Sequence, residues 1–130
     1  MAKFSTLGSK EIEQVLQSGR RYRSRSLLMF VKPVQFTDNA GSGQELGKVA
    51  FIAPKRLGSA VLRNRCKRLL RAGLAKARED RELNDMCDNY SIILMATPKT
   101  AEQNSLQIKE EIAELLAKAG CGGAHKDKSN

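Results

Sequence analysis

The chain has 130 residues, 23 Lys plus Arg against 14 Asp plus Glu, and a formal net charge of +9. That length suits one domain able to bury roughly two-thirds of its unfolded surface, and a 41% hydrophobic content supports a core rather than a disordered basic tail. No apolar run approaches a membrane span, and no signal-peptide pattern opens the chain, so a cytoplasmic protein is expected.

The first element is expected between Ser9 and Gly19. Ser9 is a suitable N-cap, Ile12, Val15 and Leu16 share one helical face, and Gly19 suits a left-handed stop. Residues 26–32 read as a strand buried on most of its length and ending at Pro33. The polar stretch 34–46, with Gly41, Ser42 and Gly43, reads as a loop. Residues 47–53 form the next strand, closed by Pro54. A helix then runs from Ser59 or Ala60 to the Arg78 region, with Leu62, Cys66, Leu69, Leu70, Gly73 and Ala77 on its apolar stripe. Residues 89–96 are a third core strand. Thr100 to Gln103 is a capping-box pattern opening a last helix whose core face is Ile108, Ile112, Leu115 and Leu116, with Gly120 as its stop. The expected organisation is one α/β domain over residues 1–120 and a flexible tail over 121–130.

The charge is segregated along this order. Residues 46–78 hold ten Lys or Arg and no acid, whereas residues 79–118 hold nine acids against four bases. Solubility alone does not require such separation; a face that binds a polyanion does. Arg20, Arg21, Arg23 and Arg25 form an earlier acid-free cluster, which reads equally as part of such a face or as a solvated surface. Glu79, Asp80 and Glu82 read as helix-end or loop charges.

Most of the basic block lies on one side of the central helix. Arg63, Lys67 and Arg71 stand at four-residue steps and make a ridge, with Asn64 and Arg68 in a parallel row and Arg65 toward the margin of the apolar stripe. Arginine offers a planar donor fork to phosphate and lysine a mobile point charge. Asn64 has the chemistry to read a base edge or a 2′-hydroxyl. Lys55 and Arg56 precede the helix start, where exposed N–H groups also favour anions. Solvated helix faces ordinarily interleave acids; here there are none.

These residues carry a family resemblance. The triplet Arg63-Asn64-Arg65, followed by Lys67, Arg68 and Arg71 and preceded by Lys55, Arg56, Gly58, Ala60 and Val61, resembles the signature of the bacterial ribonuclease P protein subunit. The agreement is strongest over residues 47–74 and extends more loosely across nearly the whole chain. The resemblance implies a two-layer α/β (α+β) sandwich of the ribosomal S5 domain 2-like kind with a left-handed βαβ crossover, against the general right-handed rule. It implies a protein, monomeric apart from its RNA, bound to a catalytic RNA that removes the 5′ leader of precursor tRNA, with Mg²⁺ held mainly by the RNA. Lys55, Arg56, Arg63, Asn64, Arg65, Lys67, Arg68 and Arg71 match the RNA-contacting motif. Ile12, Leu16 and Phe30 match positions of a cleft that takes the leader. The family often has aromatics where Ile12 and Leu16 stand, so base stacking is weaker here; plain core packing is an equal reading of those two. Ala53-Pro54 likewise replaces a more polar stretch ahead of the basic pair.

Catalytic inventory is thin. Cys66, Cys87 and Cys121 are an odd, widely spaced set and no disulfide framework, which fits a reducing compartment. Cys66 falls on the apolar stripe and reads as a packed thiol. Cys121 and His125 are two ligands short of a zinc site, and His125 is the only histidine. Two other classes remain: a ribosomal or other structural RNA-binding protein without a processing role, and a stand-alone nuclease, which would need carboxylates grouped beside the phosphate.

Overall fold

Alternation along the second strand organises the molecule. Leu27, Met29 and Val31 are buried on one face, while Leu28 and Phe30 keep part of their surface on the other. The computed structural model describes residues 7–33 and 48–125, the side chains of residues 88, 89 and 121–125 excepted. The expected loop at 34–46 therefore lies outside the described residues. The elements are α1 (Ser9–Ser18), β1 (Arg20–Arg23), β2 (Leu27–Pro33), β3 (Val49–Ile52), α2 (Ala60–Ala77), α3 (Arg81–Asn89), β4 (Tyr90–Ala96) and α4 (Ser105–His125), with 3₁₀ turns at Lys55–Leu57 and Thr100–Glu102.

The strands form one sheet in the order β1-β2-β4-β3. β2 pairs antiparallel with β1 and β4, and β3 lies parallel to β4, so the parallel pair is joined by a crossover through α2 and α3. β1 and β3 are the two edges. One sheet face, with Leu27, Met29, Val31, Val49, Ile92 and Leu94, buries its side chains against α2 and α4, including Cys66, Leu70, Leu74, Ile108, Ile112, Leu115 and Leu116. The other face carries a smaller cluster of Leu7, Val15, Ala50 and Ile93, with Ile12, Leu16, Phe30 and Ile52 packed around it. This is the expected mixed α/β architecture; α2 and α4 form the main helical layer, and the short α1 covers part of the second face.

Several local expectations change. Gly8, not Ser9, is the N-cap of α1, because the Glu11 carboxylate reaches back to accept from the Gly8 N–H (2.9 Å). Gly19 is extended (φ −77°), since the chain passes directly from α1 into β1. β1 itself falls on the basic cluster, where only Tyr22 turns inward to the larger core; three arginines in four positions hid the strand's alternation. α3 (Arg81–Asn89) is a second element that the sequence reading does not include. Its N-cap is Asp80, whose carboxylate accepts from the N–H groups of Glu82 and Leu83, so the acidic cluster opens a helix.

The last helix starts later than the Thr100–Gln103 pattern implies. Thr100 is buried, and its hydroxyl donates to the Ser26 carbonyl while accepting from the Thr97 N–H; that long-range tie removes it as a cap. Asn104 and Gln107 make the reciprocal bonds instead, at 2.9 and 3.0 Å, and open α4. Gly120 does not stop α4, which runs to His125. A Cβ at Gly120 would stand 2.7 Å from the Met86 sulfur, so the residue serves the packing of α3 on α4. Residues 126–130 lie outside the described residues.

Candidate nucleic-acid interface

α2 begins where the sequence places it. The Ser59 hydroxyl accepts from the Leu62 N–H at 3.2 Å, and Cys66, Leu70, Gly73, Leu74 and Ala77 are buried. Leu62 and Leu69, expected on the stripe, sit half-buried at its margin. The turn that aims the helix depends on Gly58, at φ 138°, ψ −145°, a region essentially reserved for glycine. It carries the chain from the edge strand, through the exposed Lys55 and Arg56, into α2.

The structure brings the predicted basic residues onto the surface of one helix and its approach. Asn64, Arg65, Arg68 and Arg71 are exposed, and Arg63 and Lys67 are half-buried. Among the described residues none of these, nor Lys55 or Arg56, pairs with a carboxylate. Residues 63–71 span about 12 Å of helix at 1.5 Å per residue, so Arg63, Lys67 and Arg71 form a continuous cationic ridge. Val61, at the head of the same helix, is 78% exposed and adds an apolar contact point inside the basic surface.

What the sequence did not foresee is how that ridge is held. The Arg63 Nε donates to the carbonyl of Ala53 at 3.0 Å. The Arg71 guanidinium carbon lies 5.3 Å from the centre of the Phe51 ring, within the range of a cation–π contact. Both anchors come from β3 and the residue just after it, so the ridge runs along the seam where α2 meets an edge of the sheet. Alternation within β3 was the available signal, since Val49 and Phe51 share the face turned to α2.

Ile12, Leu16 and Phe30 come together on the opposite sheet face. They pack around Ala50 and Ile93 and remain half-buried, so they serve the small core and also border open surface. Nearby, Lys48 Nζ donates to Glu11 at 3.2 Å and ties α1 to the start of β3. The Glu11 carboxyl is held below its ordinary range, chiefly by the Gly8 N–H; partial burial opposes this and Lys48 adds to it.

The titratable groups near this surface read as structural. Cys66 is fully buried and burial pushes its thiol up, with the Arg65 charge opposing, which suits a packing role. No three His, Cys, Asp or Glu side chains among the described residues are grouped to hold a metal. The side chains of Cys121 and His125 lie outside the described residues. A depression of about 650 Å³ lies between the β1–β2 turn and α4, lined by Arg23, Arg25, Gln103, Gln107, Glu110 and Glu114 among others. Its mixed charge and its lining, which includes no residue of α2, separate it from the basic ridge; the cationic residues lie along a helix surface. No helix among the described residues is long and apolar enough to cross a membrane.

Comparison with known proteins agrees with this construction. The family described as Ribonuclease P matches residues 2–120. The ribonuclease P protein component of Caldanaerobacter subterraneus subsp. tengcongensis is 28% identical over 111 residues, 85% of this chain and 84% of that protein. That of Dehalococcoides mccartyi is 30% identical over 110 residues, 85% of this chain and 79% of the relative. The fold is that of the Staphylococcus aureus RNase P protein (TM-score 0.65, 18% identity, 91% of this chain and 96% of that one). The Thermotoga maritima RNase P protein shares it too (TM-score 0.65, 14% identity, 88% and 96%). A family match over nearly the whole length shows that this chain belongs to the ribonuclease P protein family.

Proposed function

We propose that this chain is the protein subunit of ribonuclease P in the cytoplasm, partnered by the catalytic RNA and by precursor tRNA. The observation that carries the reading is the acid-free face of α2, with Arg63, Asn64, Arg65, Lys67, Arg68 and Arg71, in a member of this family. That face and the Lys55-Arg56 turn bind the phosphates of the folded catalytic RNA. The half-exposed Ile12, Leu16 and Phe30 border the path of the unpaired 5′ leader. Hydrolysis of the phosphodiester, with its Mg²⁺, belongs to the RNA; the protein binds and orients.

Reconstitution tests it. The protein mixed with a bacterial ribonuclease P RNA at low Mg²⁺ should raise cleavage of precursor tRNA above that of the RNA alone. No enhancement would leave a structural RNA-binding role, and cleavage by the protein alone would point to a nuclease.

A further inference from the structure

The four-stranded order puts a second set of cations on the sheet edge opposite the basic helix. The pairing register sets Arg21 beside Phe30 and Arg23 beside Leu28, and carries these rows on to Ile93 and Met95 of β4 and to Ala50 and Ile52 of β3. One row across the sheet is therefore Arg23, Leu28, Met95, Ile52, and its neighbour is Arg21, Phe30, Ile93, Ala50. The second row lies largely under α1, through Ile12, Val15 and Leu16. In the first, Leu28 and Met95 are half-exposed and belong to neither packed cluster. No acidic residue of the four strands falls on this face.

Arg21 and Arg23 are exposed and make no ion pair among the described residues; Arg23, at the edge next to the β1–β2 turn, also borders the α4 depression that holds Glu110 and Glu114. At roughly 4.8 Å per strand, β1 stands about 14 Å from β3, so an apolar strip separates two cationic margins. A basic rim beside an apolar floor is the surface that holds a single nucleic-acid strand, with phosphates on the cations and bases or riboses on the floor. A double helix keeps its bases paired and stacked inside and offers none to such a floor.

The geometry points to Arg21 and Arg23 as a second RNA-binding rim that grips the backbone of the unpaired 5′ leader as it crosses the Leu28–Met95 strip. This rests on the reading that the leader crosses this sheet face, and assigns its phosphate contacts to β1 and not to α2. The two edges then serve different strands: the α2–β3 seam the catalytic RNA, the β1 edge the substrate.

The test uses holoenzyme reconstituted with the wild-type chain, with Arg21→Ala/Arg23→Ala, and with Arg21→Lys/Arg23→Lys. Affinity is measured for a precursor tRNA with a long leader and for one with a single-nucleotide leader. The alanine pair should bind the long-leader precursor about tenfold more weakly, with a log–log salt slope shallower by about 1.4, two single-strand charges' worth. Affinity for the single-nucleotide precursor and for the catalytic RNA should hold, and the lysine pair should recover most of the loss. Unchanged binding with a normal wild-type leader effect would overturn the rim while leaving the proposed function standing. Equal losses with both precursors, or a loss of catalytic-RNA affinity, would assign β1 to another RNA surface and also overturn it. A wild-type chain that confers no leader-dependent binding would remove the reading on which the rim rests.

Discussion

Arg63 and Arg68 look interchangeable in the sequence, and the fold makes them different. Arg68 is exposed with no partner among the described residues, whereas Arg63 donates to the carbonyl of the buried Ala53. Removing Arg63 leaves that acceptor without its partner, at a cost of about 1–3 kcal/mol. Arg68→Ala removes only a solvated charge and should stay within about 0.5 kcal/mol of wild type. Urea denaturation of the two alanine variants should separate them by that margin, while both weaken RNA binding. Equal denaturation midpoints would mean that the Arg63 bond adds nothing to the fold. Thr100 teaches the same lesson in reverse: its spacing to Gln103 matches a cap, but a hydroxyl within reach of the Ser26 carbonyl is drawn into the core instead.

At the scale of elements, α2 was legible because everything that defines it is local. Its cap, its 3.6-residue apolar stripe and its basic face all repeat within 18 residues. α3 and β1 were hidden for opposite reasons. α3 is short and rich in charge, so its face of Leu83, Met86 and Cys87 is brief, and β1 turns one apolar side chain inward. Contact between helices adds constraints that periodicity does not carry. A Cβ on Gly73 would lie 2.5 Å from Ile108 Cγ2 and 3.0 Å from the Lys109 nitrogen, and Ile108 is fully buried. Gly73→Ala therefore sets a helix-propensity gain of about 1 kcal/mol against an overpacking cost of about 1–3 kcal/mol. The denaturation midpoint should fall; a rise would show that α4 can shift away from α2 without loss.

For the molecule as a whole, charge distribution separates roles. If the α2 ridge meets RNA phosphates, Arg63→Ala/Lys67→Ala should lower affinity for the catalytic RNA and flatten its log–log salt dependence by about 1.8, two charges on a duplex-like target. An unchanged slope, measured by titration between low and moderate salt, would leave the ridge merely solvated. The same experiment on the β1 pair should leave this slope alone, so the two edges are distinguishable by salt dependence as well as by substrate.

Residue order alone was enough for the polyanion-binding character, the central helix, its signature triplet and the family, since each depends on composition or on neighbours within a few turns. Strand pairing joins residues far apart in the chain, and a one-residue change of register turns a strand's faces over. The 1-2-4-3 order, the seating of Arg63 and Arg71 on β3, and the placing of Arg21 and Arg23 on the far edge therefore had to wait for the tertiary structure. A basic cluster has no direction until a sheet gives it an edge.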